Sequence, residues 1–163
     1  MLKMERVYRQ LLKELLEDGK SSFYQKEIAQ KCSISIGLVN YSLEPLERIG
    51  AVEKKGRGFT IADPRKLLMH WATLRNLQGD ILGELRGSKD AEVEMPPEAI
   101  LTAYSAAKIY YGIVAADYGE IWVYSDLEAL RERFSGGPTK IIALKPDEHL
   151  KSLGRTPLAQ VFV

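Results

Sequence analysis

The chain has 163 residues, 45% of them hydrophobic and 28% charged, with a formal net charge of +1. That length allows one domain or two small ones, the composition is ordinary for a folded soluble protein, and the balance excludes a chain that is basic or acidic throughout. A single cysteine, Cys32, excludes an intramolecular disulfide and a cysteine-rich metal site.

The first expected helix spans residues 2–16. Leu2, Val7, Leu11, Leu12, Leu15 and Leu16 recur at helical spacing, and Lys3, Arg6, Arg9, Lys13 and Glu14 fill most of the other face. Asp18-Gly19 ends it. Ser21-Ser22-Phe23 is short enough for an edge strand. Residues 24–32 read as a short amphipathic helix with Ile28, Ala29 and Cys32 on its apolar side. Ser33-Ile34-Ser35 is a tight turn, with Ile34 as a plug and Ser35 as the N-cap of a helix over 36–49. In that helix Val39, Leu43, Leu46 and Ile49 share one face, and Ile36, Gly37, Asn40, Tyr41 and Glu44 form the opposite one. Pro45 removes a hydrogen bond and predicts a bend or a re-aimed last turn.

Gly50 stops this helix. Residues 52–54 and 59–61 pair as a hairpin with a basic tip of Lys54, Lys55 and Arg57, where Gly56 and Gly58 supply positive φ. Asp63 caps a helix that opens on Pro64. Its Leu67, Leu68, Trp71 and Leu74 form a packing surface against the first helix or a second subunit.

A boundary falls at 76–80. Residues 81–85 read as a strand, 87–94 as a charged loop or weak strand, and 97–111 as a helix rich in small residues. A strand at 120–124, a helix at 127–134 and a buried strand at 141–144 follow, and Thr156-Pro157 opens a last short helix. Strands alternating with helices predict a small α/β domain with a mixed sheet.

Helix, turn, helix and basic hairpin is the order of a winged helix-turn-helix, which sets a helix in the major groove of DNA. The basic surplus is local: residues 1–64 hold 11 Lys+Arg against 9 Asp+Glu, a net of +2, and residues 65–163 hold 12 against 13, a net of −1. Lys54, Lys55 and Arg57 are expected at phosphates or the minor groove, giving affinity and salt dependence. Ser35, Asn40 and Tyr41 are placed to reach base edges, with Asn40 suited to adenine. Ile36 suits a thymine methyl, and Gly37 leaves room for backbone approach. Gln25 and Lys26 open a helix whose N-terminus favours phosphate. The alternative is a winged helix used for protein contacts, with Ile36 and Tyr41 at the interface and the hairpin a solvated turn.

Enzymatic chemistry finds little support. Gly87-Ser88 with Asp90, Glu92 and Glu94 is too compressed for a nucleotidyltransferase motif, and the alternating acids read as the exposed face of an edge strand. Asp117, Glu120 and Lys140 lack nuclease spacing, and Gly136-Gly137-Pro138 precedes a strand rather than opening a helix. His70 and His149 lie far apart, so no metal and no cofactor are expected. Tyr104, Tyr110, Tyr111, Tyr118, Trp122 and Tyr124 concentrate aromatics in the second half, as core or as the lining of an effector pocket.

Residues 27–52 resemble the winged-helix regulators of bacteria and archaea through Ile28-Ala29, Ile34-Ser35, Val39, Leu43, Leu46, Gly50 and Val52. Ser33 stands where glycine is common, and Pro45 interrupts the second helix. Residues 100–112, 120–124 and 156–159 resemble the antitoxin-type regulators of abortive-infection (AbiEi) systems, in which a winged helix precedes an α/β domain. That resemblance implies an autorepressor beside a nucleotidyltransferase toxin.

The expectation is therefore an α+β protein. Residues 1–77 form an N-terminal winged helix-turn-helix with flanking helices, and residues 78–163 a small C-terminal α/β domain for regulation, dimerisation or partner binding. The expected function is sequence-specific binding of double-stranded DNA in transcriptional repression, as a homodimer. A protein partner such as a toxin is the alternative role. No apolar run reaches the ~18 residues of a membrane span and no signal segment opens the chain, so a cytoplasmic protein without a membrane partner is expected.

Overall fold

The computed structural model describes residues 1–113 and 118–163. The chain divides into two compact units, Met1–Arg75 and Asn76–Phe162. In the first unit the order is α1 (Lys3–Leu16), β1 (Ser22–Phe23), α2 (Gln25–Cys32), α3 (Ile36–Arg48), β2 (Val52–Lys55), β3 (Gly58–Ile61) and α4 (Pro64–Leu74).

Helix α1 packs against α2, α3 and α4. Val7, Tyr8, Leu11 and Leu12 bury completely, as their spacing predicts. The polar face does not behave as its pattern predicts, because Arg9 and Glu14 are buried, along with Glu5 and Gln10. A helix surrounded by others has too little solvent-facing surface for its polar residues, so buried charges must find partners. Glu5 accepts from the Leu2 N–H at 2.7 Å and from Trp71 Nε1 at 3.0 Å. Glu14 accepts from Gln10 at 2.6 Å and from Lys31 at 2.7 Å, and it pairs with Lys20 at 3.1 Å. Burial pushes the Glu14 carboxyl up, but the hydrogen bonds from Lys31 and Gln10 and the neighbouring Lys20 ammonium outweigh it and hold its pKa below the ordinary value. Trp71 thus seats α4 on α1 within one chain.

Strands β1, β3 and β2 form an antiparallel sheet in that order. Phe23 stacks on Phe59 at 5.6 Å and closes the sheet over the core. Gly56 has φ +58 at the hairpin turn, as expected, but Gly58 does not share that conformation. Its role is close approach: a Cβ there would lie 2.6 Å from the Phe23 carbonyl oxygen. Helix α3 continues through Pro45 to Arg48. Ile49 is not on its buried face; it is the C-cap residue and 40% exposed, because the helical period ends before it.

The second unit holds a four-stranded sheet in the order β4-β7-β6-β5. The strands are β4 (Ile81–Gly87), β5 (Ile100–Thr102), β6 (Glu120–Tyr124) and β7 (Thr139–Leu144), with helices α5 (Ala103–Tyr111), α6 (Leu127–Arg133), α7 (Glu148–Leu153) and α8 (Leu158–Val161). β6 and β7 are parallel, joined through α6, and the other pairs are antiparallel. Ile121, Val123, Ile141 and Ala143 pack with Leu130 and Phe134 of the α6 region. Tyr124 and Leu144 pack with Leu150 of α7 in a separate cluster. Two covered faces explain the continuous apolar run of β7.

The expected helix over 97–111 is shorter than its composition suggests. Residues 100–102 instead pair with Tyr124, Val123 and Trp122, and all three are buried. Their burial at the sheet edge outweighs helix propensity, and Ala103, at φ +50, breaks the chain from strand into α5. The acids at 90–94 lie in turns rather than on an edge strand. There Glu92 is half-buried and accepts from Tyr118 at 2.6 Å and Lys108 at 3.1 Å. Helix α7 is absent from the sequence reading, although Asp147 caps it by accepting from the N–H groups of His149 and Leu150. No helix among the described residues is long and apolar enough to cross a membrane.

Candidate nucleic-acid interface

The turn between α2 and α3 is set by Ser33, which ends α2 in the left-handed region at φ 53 and ψ 50. Its N–H donates to Gln30 O at 3.2 Å, and the Ile34 N–H donates to Ala29 O at 3.0 Å. A serine in this conformation costs about 1 kcal/mol relative to glycine. Ser35 then caps α3, its Oγ accepting from the Leu38 N–H at 3.2 Å. That bond uses the oxygen as acceptor and leaves the hydroxyl hydrogen for a contact outside the chain.

The outward face of α3 presents Ile36 at 49% and Tyr41 at 61% exposure, with Gly37 between them. A Cβ on Gly37 would meet only Ser35 Oγ, at 4.0 Å. Packing within the protein therefore does not require glycine here. Asn40 is half-buried and held from both sides. Gln25 Nε2 donates to its Oδ1 at 3.3 Å, and its Nδ2 donates to Glu44 Oε1 at 3.4 Å. The structure thus brings Gln25 of α2 beside Asn40 of α3, so Gln25 orients the Asn40 amide as well as opening α2. Lys26 is exposed in the first turn of α2. Tyr24, the N-cap, offers no side-chain acceptor to the N–H groups there, which leaves them suited to an anion.

On the hairpin, Lys55 and Arg57 are exposed and have no ion pair among the described residues. Lys54 differs from the expected free cation. Its Nζ lies 2.9 Å from Glu47 Oε1, outside hydrogen-bond geometry, so the contact is a charge pair rather than a directed bond. Glu47 was not legible as a member of this site, since only the fold brings α3 beside β2. Tyr24 was also missed. It is 48% exposed, and its ring would lie 3.4 Å from a Cβ on Gly58.

Residues 5–53 match the sequence profile of a family described as winged helix-turn-helix DNA-binding. They form a winged helix-turn-helix DNA-binding domain. The match covers most of α1, all of α2 and α3, and the start of β2; the sheet of the second unit lies outside it. No curated protein and no solved structure gives a significant match.

Outside the winged helix, Gly87 and Lys140, two of the groups weighed for catalysis, have close partners in the second unit. A Cβ on Gly87 would lie 2.8 Å from Ala91 Cβ and from Ile141 Cδ1, so packing demands glycine there. Lys140 pairs with Glu84 at 3.2 Å and Glu120 at 3.8 Å across the sheet. Asp117 lies outside the described residues. Tyr104 stacks on Tyr118 at 5.7 Å. A cavity of about 850 Å³ in the second unit is lined by none of the aromatics expected at an effector pocket.

Proposed function

We propose that the protein is a sequence-specific regulator of transcription that reads duplex DNA through α3 and grips its backbone through the wing. The observation that carries this reading is the outward face of α3. Ile36, Gly37 and Tyr41 are exposed there, and the Asn40 amide is held in a fixed orientation between Gln25 and Glu44. A pre-oriented amide suits bidentate pairing with adenine. Lys26, Lys55 and Arg57 then supply backbone contacts. Repression and a homodimeric assembly belong to the same proposal, because one recognition helix reads few base pairs.

The exposed Ile36 and Tyr41 also favour a second reading, a protein-contact face. The residues at 100–112, 120–124 and 156–159 support an antitoxin-type autorepressor with a toxin partner. Fluorescence anisotropy across a salt series, with DNA from upstream of the protein's own reading frame against a scrambled duplex, separates these readings. Tight, salt-dependent and selective binding supports the autorepressor. Weak, unselective binding favours the protein-contact face.

A further inference from the structure

We propose that the second unit binds a small organic amine, an ammonium group on a compact apolar body, in the cavity at the C-terminal ends of β6 and β7. The cavity holds about 850 Å³, within the range of small-molecule sites. Ser125, directly after β6, and Lys145, directly after β7, both line it. Ligands of open α/β sheets commonly occupy the crevice beyond the carboxyl ends of parallel strands. Leu82, Ala99, Ile100, Leu127 and Pro146 give the cavity an apolar wall.

Charge decides the ligand class. Glu98, Asp126, Glu128 and Glu148 face Lys145 and Lys151 around the cavity, four acids against two lysines, a net of −2. Several of these are engaged elsewhere. Asp126 caps α6 by accepting from the Glu128 N–H at 2.9 Å, Glu128 pairs with Arg131 at 2.7 Å, and Glu148 pairs with Lys151 at 3.0 Å. With Glu128 and Glu148 neutralised by these pairs, Glu98 and Asp126 stand against Lys145, one negative charge in excess; Glu98 is exposed and has no ion pair among the described residues, which leaves it to meet an ammonium. Ser125 is an independent sign. It is 2% exposed, and its Oγ has no hydrogen-bond partner among the described residues. A buried hydroxyl left unpaired is unfavourable, and a ligand N–H at this wall would satisfy it.

The test is a titration of the ¹⁵N-labelled full chain, followed by amide chemical shifts, with phenethylamine and with 3-phenylpropionate, which share a ring and a spacer but differ in charge. Phenethylamine is expected to give saturable shifts centred on Ala99, Ile100, Leu127 and Gly154, and to bind about fivefold more tightly than the carboxylate. Glu98→Lys, an exposed change that leaves the fold intact, is expected to reverse that preference, and Ser125→Ala to weaken the amine about threefold. Shifts that do not saturate or that map elsewhere would overturn the proposal. So would a carboxylate that binds as well as the amine, or a preference that Glu98→Lys leaves unchanged in a folded spectrum.

Discussion

Lys54 of the wing lies 2.9 Å from Glu47 of α3. The pair joins α3 to β2 and neutralises one wing cation before any DNA arrives. The two side chains are 53% and 28% exposed, so the attraction is screened and modest, and a phosphate can compete for the lysine. Glu47→Gln is expected to tighten binding to every duplex and to steepen the salt dependence by about one unit of slope. Lys54→Ala in the same background should cancel the gain. Anisotropy over a salt series measures both, and an unchanged slope in Glu47→Gln would show that Lys54 already reaches phosphate.

Asn40 and Arg57 are expected to fail in different ways. Asn40→Ala should reduce discrimination between the preferred duplex and its point variants by about 1–3 kcal/mol. Gln25→Ala should produce a weaker version of the same defect, since it acts on base choice through the Asn40 amide. Arg57→Ala should weaken all duplexes alike and flatten the salt slope by about one. Equal losses on every sequence for Asn40→Ala and Arg57→Ala would refute this division of roles.

Gly37 offers a test in which stability and binding part company. A methyl group there meets nothing in the protein closer than 4.0 Å. Gly37→Ala is therefore expected to stabilise the fold by up to about 1 kcal/mol in urea unfolding. It should also weaken duplex binding, because the added methyl stands on the face proposed to approach the groove. A stabilised variant with undiminished affinity would remove Gly37 from the interface.

Trp71 anchors α4 to α1 by shape and by a bond to the buried Glu5 carboxylate at 3.0 Å. Trp71→Phe keeps an aromatic ring but leaves that oxygen only the Arg75 guanidinium, 3.8 Å away, in place of a directed donor. The expected cost is about 1–3 kcal/mol beyond the loss of packing. Glu5→Gln should cost more than Trp71→Phe, because it also withdraws the negative charge beside the buried Arg75 guanidinium, and thermal unfolding of the two variants checks this.

Acid sensitivity should follow one half-buried group and one buried group. Burial lowers the pKa of the His70 imidazole, beside Tyr8, below its ordinary 6.5. The unfolded chain then binds the proton first, so the stabilisation is complete above pH 6.5 and declines as pH falls toward the lowered folded value. Glu14, also lowered, adds a second loss below its ordinary 4.5. Unfolding midpoints measured from pH 8 to 3 should show both declines, and His70→Gln should abolish only the first.

Much of the architecture was legible in periodicity and caps. The apolar spacing of α1, the Ser35 and Asp63 caps, the wing strands and the run at 141–144 each express a local preference that tertiary packing reinforces. The edge strand at 22–23 was readable for the same reason, as a short extended pair ahead of an amphipathic helix. The candidate interface was legible as a set of residue types on the outward face of one helix.

What only the tertiary structure decided involves partners distant in sequence. Periodicity assigns a polar residue to a solvated face, but neighbouring helices enclose α1 and bury Arg9 and Glu14. Composition makes 100–102 helical, but a neighbouring strand captures those residues as β5. Sequence distinguishes neither Lys54 from Lys55 nor Gly56 from Gly58. The fold does, because Glu47 lies beside one lysine and the Phe23 carbonyl crowds one glycine. Local chemistry sets which elements form, and the approach of other elements sets which side chains remain free to act.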